Sequence, residues 1–561
     1  MFNKIKNISW KYVLLEILPL ILILVGFMLV LSNISNGLLK DFVFANADML
    51  TLSLVHQTIL LNEPFHWIFS SQIFLFPEAI IYSISSLFGG NFKVTLIINA
   101  LIAIVLLYAA MRLIMKSFSK SKLIVVSFSL FYILTVLLLQ ASEPRNDTSI
   151  AMYYFVTTAY YGVILSGLVA LGLLSSILSQ KNSKKLSTKT KVLLAVFGAL
   201  SFLVGLSNPL FFLQVSAPLL VVIVIQRLFG FISTKLLLIL GGITIGSIIL
   251  TTIVRKIVFS QFFSTYGNIS SYFHFEDIKP AVKTFLRMLL EMFNGTVGQR
   301  VELLLLIAVT LFAITMFVYV AIMRIKKSKG LTAKIQSHHF FIITFAAVAP
   351  VTTALGSLLT GNAIMRYMMP ILFFAPLAII PLYVYLAKSH ILLVKIGILT
   401  LTVVLFLVGI ILIKDPVSMT KDLVNYYPTA TKCMDEKLSG TNYKNGIAQY
   451  WRARVMQLNS RDGHIVEQTD ATMKRFTWLY NQSSYDMYDL SFVIVDKPAK
   501  ITNPELSGDP FFTIQAPSVN YAFGVPSNLY QCEDFDIWAY DKGTRGHTIL
   551  NSTVRDRTMG F

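Results

Sequence analysis

Long apolar runs recur along most of the chain and stop near residue 413. About 20 apolar residues in a row are needed for one helix to cross the ~30 Å hydrocarbon core of a bilayer. The 561 residues are 55% hydrophobic and 13% charged, whereas soluble proteins carry about 25% charged residues. Charged side chains are rare in lipid because moving them out of water is costly. The chain is therefore predicted to be a polytopic α-helical membrane protein.

Short basic loops between the apolar runs predict its topology. Basic clusters occur at 116–122, 181–191 and 324–334, and such clusters normally lie in the cytoplasm. Their placement there, together with the N-terminus, accounts for the net charge of +19 without a nucleic-acid partner. It predicts a multi-pass protein of the plasma membrane with eleven helices, near residues 12–32, 94–114, 123–140, 152–178, 192–207, 210–229, 236–254, 301–323, 340–360, 367–387 and 391–413.

Because the number of predicted crossings is odd, the residues after the last helix are expected outside the cytoplasm. The chain then divides into a transmembrane domain, 1–413, and an extracytoplasmic soluble domain, 414–561. In the second domain, 443–458 reads as a helix, and 491–496 and 535–540 read as strands bounded by turn residues. This domain is therefore predicted to be mixed α/β.

Two further outer segments interrupt the predicted helices. The first, 33–92, is aromatic and too irregular to span the membrane, although 78–88 is a short apolar stretch of the interfacial kind. The second, 255–300, has helix-start signals at Asp277 and Pro280. It predicts an amphipathic helix that lies flat on the outer surface.

Both cysteines of the chain, Cys433 and Cys532, lie in the C-terminal domain. Two cysteines without a CxxC spacing do not make a tetrahedral metal site by themselves. In an extracytoplasmic domain they either form a disulfide or remain as two unlinked thiols.

Two acids of the first outer segment, Asp48 and Glu78, are candidates for chemistry. An acid near the membrane surface has to be solvated, paired or chemically active. Each also has a purely structural interpretation. Asp48 precedes an apolar run and is a good helix N-cap. Glu78 follows Pro77, where the helix dipole favours a first-turn acid.

Several short motifs, taken in order, are similar to those of one class of membrane enzymes. They are Ala47-Asp48, His66-Trp67, Phe76-Pro77-Glu78, Glu143-Pro144-Arg145-Asn146-Asp147, Arg366-Tyr367 and Tyr450-Trp451-Arg452-Ala453-Arg454. With a long first outer loop and an outer C-terminal domain, this order resembles the GT-C class of membrane glycosyltransferases, and more closely a poorly characterised bacterial subfamily. The resemblance implies a GT-C-like fold, and it gives the last motif no role.

The resemblance also implies a reaction outside the cytoplasm. A sugar would pass from a polyprenyl-phosphate-linked donor in the bilayer to a cell-surface glycopolymer or polysaccharide. Asp48 is the expected general base for the acceptor hydroxyl, with Glu78 assisting. Arg366 first, and Arg145 second, are expected to neutralise the lipid phosphate that leaves. A single displacement with one base predicts inversion at the anomeric carbon.

Four further residues are expected to contact substrate, namely His56, Trp67, Tyr367 and Asp147. Each has a plainer alternative, because aromatic residues also form interfacial belts and polar residues also form solvated turns. The sequence identifies no cofactor with certainty. If a divalent metal takes part, Asp48 and Glu78 are the residues expected to hold Mg²⁺ or Mn²⁺.

Two other functional classes stay open. A transporter or flippase for lipid-linked sugars usually buries charged residues within the membrane and has repeated halves. The predicted helix interiors contain almost no charged residues, and no internal repeat is visible, which favours the glycosyltransferase. A non-catalytic membrane protein of polysaccharide assembly is the third class, because a degenerate enzyme would keep the same sequence features.

Overall fold

Two compact units make up the part of the chain that the structure, a computed structural model, describes. The described residues are 10–37, 39–142, 150–155, 160–180, 186–262, 275–326, 335–361, 364–413, 415–497 and 513–556. The helical unit comprises Met1–Leu39, Gln72–Val258 and Ser270–Val424, and the mixed unit comprises Lys40–Ser71, Phe259–Ile269 and Asn425–Phe561. The mixed unit thus contains most of the first outer segment in addition to the predicted C-terminal domain.

The α-helices are numbered in chain order. The first twelve are α1 (Trp10–Asn36), α2 (Leu39–Phe44), α3 (Thr51–Leu60), α4 (Ile80–Gly89), α5 (Phe92–Met115), α6 (Lys122–Ala141), α7 (Met152–Phe155), α8 (Tyr161–Leu178), α9 (Thr188–Ser207), α10 (Ala217–Leu228), α11 (Thr234–Ile257) and α12 (Ile278–Asn294). The others are α13 (Val297–Ile325), α14 (Ser337–Leu359), α15 (Met369–Phe374), α16 (Ile380–Ser389), α17 (Ile391–Leu412), α18 (Pro416–Val424), α19 (Thr429–Leu438), α20 (Tyr450–Asn459), α21 (Ser484–Met487), α22 (Ala516–Phe523) and α23 (Arg545–Arg555).

Ten helical stretches of the helical unit are long and apolar enough to cross a membrane, counted over the described residues. They are Leu14–Asn36, Phe92–Met115, Lys122–Ala141, Tyr161–Leu178, Thr188–Ser207, Thr234–Ile257, Val297–Ile325, Ser337–Leu359, Met365–Ser389 and Ile391–Leu412. Two apolar helical stretches are shorter, Leu75–Gly89 and Phe212–Leu228. The prediction of a mostly helical chain with many membrane-length apolar helices is confirmed, and the number of crossings and their orientation stay predictions.

Two of the eleven predicted helices differ from the structure. The prediction at 210–229 corresponds to Phe212–Leu228, which is too short for the membrane-length set and begins with a π-helical turn at Phe212–Ser216. The predicted helix at 152–178 starts later, because α8 begins at Tyr161 after the separate short helix α7. Residues 156–159, between α7 and α8, are outside the described part.

The amphipathic helix expected between 255 and 300 is α12. One side of it is buried, with Ala281 and Met292 fully covered. A second side exposes the apolar side chains of Val282, Leu286, Leu290 and Phe293. Beside this apolar stripe lie three exposed basic residues, Lys279, Lys283 and Arg287. The presence of the helix is confirmed, and its position flat on the outer surface stays a prediction.

The mixed unit is built on a five-stranded sheet. Its strands are β2 (Asn445–Gln449), β3 (Ile465–Thr469), β5 (Phe492–Asp496), β6 (Asn528–Gln531) and β7 (Phe535–Ala539), and they follow the order β3-β2-β5-β7-β6. β2 pairs in parallel with β3 and β5, whereas β7 pairs antiparallel with β5 and β6. The strands predicted at 491–496 and 535–540, and the mixed α/β class, are therefore confirmed.

A second, two-stranded sheet joins the first outer segment to the C-terminal part of the mixed unit. It pairs β1 (Trp67–Ile68) antiparallel with β4 (Tyr480–Asn481), with Trp67 opposite Asn481. The backbone continues this pairing, because the Gln482 N–H donates to the carbonyl of His66 at 2.9 Å. A stretch in the middle of the first outer segment is thus a strand of the mixed unit.

The helix predicted at 443–458 is wrong at its start. Residues 445–449 form β2, and α20 begins only at Tyr450. A Cβ at Gly446 would lie 2.2 Å from the Phe492 ring, so this position needs glycine for the close packing of two strands. The Gln449 side chain accepts a hydrogen bond from the Trp451 N–H and caps the helix.

Alternate residues of β5 contribute to two apolar cores, as the two-residue repeat of a strand requires. Phe492 and Ile494 belong to the first core, and Val493 and Val495 belong to the second. The structure joins Cys433, in α19, to Cys532, just after β6, by a disulfide that packs against the first core.

Candidate functional site

Asp48 lies in a short 3₁₀ turn, Ala47–Leu50, of the mixed unit. The Asn46 side chain caps this turn by accepting a hydrogen bond from the Asp48 N–H at 3.1 Å. The Asp48 carboxylate accepts a hydrogen bond from the Tyr450 hydroxyl at 2.5 Å. Asp48 is half-buried. Asn46 is therefore the capping residue here, and the hydroxyl of Tyr450 orients the carboxylate of Asp48.

The motif that starts at Tyr450 forms the first half of α20. The Arg454 side chain is fully buried, and its two Nη atoms donate to the Leu479 carbonyl at 2.6 Å and to the Thr51 hydroxyl at 2.8 Å. The Thr51 hydroxyl in turn donates to the backbone carbonyl of Asp48 at 2.9 Å. Tyr450 and Arg454 thus hold the side chain and the backbone of the Asp48 segment from the same helix.

An aromatic cluster adjoins Asp48. Ala47, Tyr450 and Phe476 form its buried part, and the half-buried side chains of Trp451 and Trp478 pack against it. The Tyr450 ring meets the rings of Trp451 and Phe476 edge to face, with centroids 5.2 Å and 5.5 Å apart. Such edge-to-face pairs stabilise one arrangement of the rings. The carboxylate of Asp48 therefore has a rigid aromatic neighbourhood.

Two of the residues expected to contact substrate, His56 and Trp67, lie in the mixed unit. Trp67 is 1% exposed, and its indole N–H donates to the Thr58 hydroxyl at 3.2 Å. His56 is half-buried in α3. Trp67 thus helps to hold the mixed unit together, and contact of Trp67 or His56 with substrate stays a prediction.

The mixed unit also contains a pair of buried acids. Glu63 accepts hydrogen bonds from the Asn481 amide at 3.1 Å and the Tyr488 hydroxyl at 2.6 Å. Glu467 is fully buried and accepts from the hydroxyls of Tyr480 and Ser484. Burial raises the pKa of Glu467 to about 8, although these two hydrogen bonds act to lower it. Glu467 is a titratable group that no sequence motif indicated.

Glu78 belongs to the helical unit and is 0% exposed. Its carboxylate lies against Gly162, where a Cβ would approach Oε1 to 2.3 Å. Neither carboxylate oxygen has a side-chain hydrogen-bond partner among the described residues. Tyr161, the neighbour of Gly162, interacts electrostatically with Glu78 and is close to the buried amide of Asn99. Glu78 is therefore a buried acid between helices, next to Gly162 and Tyr161, and not an ordinary surface residue of a first helical turn.

Arg366 and Tyr367 lie in a 3₁₀ turn, Met365–Met368, of the helical unit. The half-buried Arg366 guanidinium sits 5.5 Å from the Tyr160 ring centroid and 5.8 Å from that of Tyr367. The two rings meet edge to face at 5.8 Å. Two aromatic rings thus flank the Arg366 guanidinium, and its role at a lipid phosphate stays a prediction.

The remaining predicted site residues lie outside the described part of the chain. Arg145 and Asp147 fall within 143–149, of which nothing is described. Among the residues that are described, no group of three His, Cys, Asp or Glu side chains could hold a metal ion. Asp48 and Glu78 belong to different units, so a divalent metal held by both stays a prediction.

The sequence gives no sign that Tyr450 is the partner of Asp48, or that Gly162 is the neighbour of Glu78. Tyr450 and Asp48 are 402 positions apart, and periodicity reports only neighbours within a few turns or strands. The motif at 450–454, with four aromatic or basic residues at the start of a helix, was indicated only by its resemblance to other proteins. What it binds becomes visible only in the folded chain.

No protein-family model matches the sequence, and no curated protein matches it either. Among solved structures, an oligosaccharyltransferase from Archaeoglobus fulgidus, in a complex with zinc and sulfate, is similar over 84% of this chain and 68% of its own. The sequence identity is 13%, and the TM-score is 0.42. A similarity at this level does not establish a shared fold or a shared activity.

Proposed function

We propose that the protein is a membrane glycosyltransferase of the GT-C type. It transfers a sugar from a polyprenyl-phosphate-linked donor to a cell-surface glycopolymer or polysaccharide, and Asp48 acts as the general base. The ten membrane-length helices and the GT-C-like order of the sequence motifs support this class. The geometry at Asp48 supports the role of that residue.

The observation that carries the proposal is the hydrogen bond between Tyr450 and Asp48. A general base has to present its carboxylate in a fixed direction and still be reachable by the acceptor. The Tyr450 hydroxyl holds Asp48 Oδ1 at 2.5 Å, while Asp48 remains partly exposed. A fixed and accessible acid beside aromatic side chains suits the activation of a sugar hydroxyl.

The proposed reaction is a single displacement. The acceptor hydroxyl gives its proton to the Asp48 carboxylate while its oxygen bonds to the anomeric carbon of the donor sugar. The bond from that carbon to the lipid-phosphate oxygen breaks, and the electron pair stays on the phosphate. Because attack and departure occur on opposite faces of one carbon, the product has the inverted anomeric configuration.

Arg366 is assigned to the leaving phosphate. A guanidinium keeps its charge and can hold two phosphate oxygens at once, so it stabilises the charge that develops there. Tyr160 and Tyr367 flank it and limit its orientations. Glu78 is assigned a supporting role, and Arg145 and Asp147 stay sequence predictions. A contribution from Mg²⁺ or Mn²⁺ is also proposed on the sequence alone, and activity after treatment with a chelator tests it.

The proposed location follows from the basic loops. With these loops and the N-terminus in the cytoplasm, the acceptor, the carrier lipid and the C-terminal residues meet outside. Labelling of single cysteines by a membrane-impermeant reagent, introduced one at a time in the mixed unit, tests this orientation.

The proposed activity is tested by comparing surface glycans of cells that carry the native chain, Asp48→Asn or Tyr450→Phe at equal expression. Asp48→Asn is expected to reduce transfer by about 100-fold or more, because a general base contributes about 10²–10⁴-fold. Tyr450→Phe keeps the ring and removes only the hydroxyl that orients Asp48, so a smaller loss is expected.

Asp41→Asn is the matched control. Asp41 lies in the same segment, and its carboxylate also accepts a hydrogen bond from a tyrosine, Tyr426. The glycan profile of this variant is expected to equal that of the native chain. An unchanged profile in Asp48→Asn, or a loss of equal size in Asp41→Asn, would contradict the assignment of Asp48.

A further inference from the structure

We infer that Trp451 and Trp478 form a carbohydrate-binding platform that receives a sugar ring of the acceptor next to Asp48. The inference rests on the proposed function and specifies where the acceptor binds. The aromatic platform is defined as Trp451 and Trp478, the two half-buried indoles that pack on the cluster of Ala47, Tyr450 and Phe476.

The position of the platform follows from the contacts of Asp48 and its neighbours. Ala47, which precedes Asp48 in the chain, belongs to the cluster on which both indoles pack. Tyr450 belongs to the same cluster and donates its hydroxyl to the Asp48 carboxylate. Both indoles thus pack on the residues that border the proposed base.

Hydrogen bonds from a buried side chain fix the backbone of the loop that carries Trp478. The buried amide of Gln468 donates to the carbonyls of Phe476 and Trp478, at 2.6 Å and 2.7 Å. The Tyr485 hydroxyl also lies 3.3 Å from the Phe476 carbonyl. Because a preorganised surface loses little conformational freedom on binding, these hydrogen bonds favour ligand recognition at Trp478.

The helix that carries Trp451 provides a second rigid support. Trp451 follows Tyr450 in α20, and the rings of the two residues pack edge to face. The indole N–H of Trp451 has no hydrogen-bond acceptor among the described residues. A buried indole N–H usually finds a partner, so this donor is a polar group beside the platform whose hydrogen-bonding capacity the described residues leave unused.

The chemistry of these groups points to a neutral sugar. A pyranose ring has apolar C–H faces, which suit an aromatic ring, and hydroxyl edges, which suit a carboxylate and an N–H donor. An anionic lipid headgroup would need a basic side chain. The two arginines of this helix are engaged elsewhere, because Arg452 pairs with Asp496 at 2.6 Å and Arg454 is buried against Leu479 and Thr51.

The test is saturation-transfer NMR on the full-length protein in nanodiscs with a panel of methyl glycosides as probes. The panel comprises methyl glucoside, methyl galactoside, methyl rhamnoside and methyl N-acetylglucosaminide. We expect saturation of the C–H protons on one face of at least one of these sugars. Trp478→Ala and Trp451→Ala are expected to weaken its binding by about tenfold, which corresponds to about 1.4 kcal/mol.

Trp538→Ala is the matched control. Trp538 is also half-buried, but it packs against the second apolar core, the one that contains Val493 and Val495, and not against the aromatic cluster. Its glycoside affinity is expected to equal that of the native chain. Trp478→Phe keeps an aromatic face and is expected to recover most of the affinity that Trp478→Ala loses. This recovery separates loss of the platform from general misfolding.

Three results would overturn the platform. The first is no saturation of any glycoside by the native chain, and the second is equal affinity in Trp478→Ala, Trp451→Ala and the native chain. The third is saturation of the indoles by the lipid acyl chains of the nanodisc, which would make these residues part of a membrane interface.

Glycoside binding by NMR, taken together with the surface-glycan comparison in cells, separates the platform from the proposed enzymatic activity. Asp48→Asn is expected to keep most of the glycoside affinity, because its amide still forms hydrogen bonds with sugar hydroxyls, and to lose transfer, because the amide cannot accept the proton. Glycoside binding at the platform in a chain that shows no Asp48-dependent transfer would support the platform and contradict the glycosyltransferase. Asp48-dependent transfer without any dependence on Trp451 or Trp478 would support the enzyme and contradict the platform.

Discussion

The helical unit and the mixed unit satisfy their polar side chains in different ways. In the helical unit, hydroxyl groups commonly donate to a carbonyl one turn earlier in the same helix, as Ser129, Thr244 and Thr344 do. In the mixed unit, important polar contacts join distant positions. Asp48 and Tyr450 are 402 residues apart, and Glu63 and Asn481 are 418 apart.

The difference reflects the two solvents. Lipid offers no hydrogen-bonding partner, so a helix that spans it has to satisfy its groups locally. A unit exposed to water can leave surface groups solvated and uses hydrogen bonds mainly to hold segments together. Loss of one distant contact is therefore expected to destabilise the mixed unit more than loss of one local contact destabilises the helical unit.

The largest effect on stability is expected from removal of the disulfide between Cys433 and Cys532 in the mixed unit. Replacing both cysteines, Cys433→Ser with Cys532→Ser, removes a link across a sequence separation of 99 residues. The unfolded chain then gains freedom, and the mixed unit should lose about 4 kcal/mol of stability. Pulse proteolysis in urea, with each cleavage assigned to one unit by mass, measures the loss. A midpoint within error of that of the native chain would contradict it.

The second prediction concerns Arg454. Arg454→Met fills a similar volume but removes the two hydrogen bonds to the Leu479 carbonyl and the Thr51 hydroxyl. A buried hydrogen bond from a charged group contributes about 1.5–3 kcal/mol, so a loss of about 3 kcal/mol is expected in the same proteolysis assay. Arg461→Met is the control, because Arg461 is exposed, and its loss should stay below about 1 kcal/mol. Equal losses in the two variants would argue against the long-range role.

The third prediction concerns pH and Glu467. Burial raises the pKa of Glu467 from its usual 4.5 to about 8. Between these two values the folded state holds a proton that the unfolded chain has released, so stability falls as pH rises and levels off above about 8. The urea midpoint of the mixed unit should therefore be higher at about pH 5 than at about pH 8.

Glu467→Gln should flatten this pH dependence, because the amide does not titrate. Part of the slope is expected to remain, since burial also raises the pKa of Asp496 against the opposing charge of Arg452. Glu436→Gln changes an exposed acid and should leave the full slope. A Glu467→Gln profile identical to that of Glu436→Gln would show that Glu467 does not govern the pH dependence.

The smallest effect is expected for a local contact of the helical unit. Thr296 and Gln299 form a capping box at the start of α13, in which each side chain accepts from the backbone N–H of the other residue. Thr296→Ala should lower the stability of the helical unit by about 1 kcal/mol. Thr352→Ala removes a hydroxyl that bonds only within its own helix and should have a still smaller effect. A loss of stability in Thr296→Ala as large as that in Arg454→Met would contradict the proposed difference between local contacts in the helical unit and distant contacts in the mixed unit.

The helical unit was easier to predict from the sequence than the mixed unit, because its structure depends more on local apolar runs and less on contacts between distant residues. Most membrane-length helices were predictable, because an apolar run of about 20 residues has few other stable structures. β5 and β7 were also predictable from their short apolar or alternating patterns. The start of α20 was not, because the close packing of Gly446 on Phe492 decides it, and that contact joins two strands.

The candidate site shows the same limit. Asp48 could be identified because an acid between the first helix and an apolar run is unusual, and the motif at 450–454 was indicated by its resemblance to other proteins. The hydrogen bond that joins them depends on the fold of the whole mixed unit. For Glu78, the sequence could not foresee full burial against Gly162, which comes from the start of another helix.

The pairing of β1 with β4 also sets an order of events during synthesis. A ribosome adds about 5–20 residues per second, so Asn481 follows Trp67 by roughly 20–80 seconds. During this interval Trp67 has no strand opposite it, and Glu63 lacks the amide that later donates to it. A chain that stops before residue 481 therefore leaves a defect near its beginning, and quality-control factors that detect exposed apolar segments would find it there.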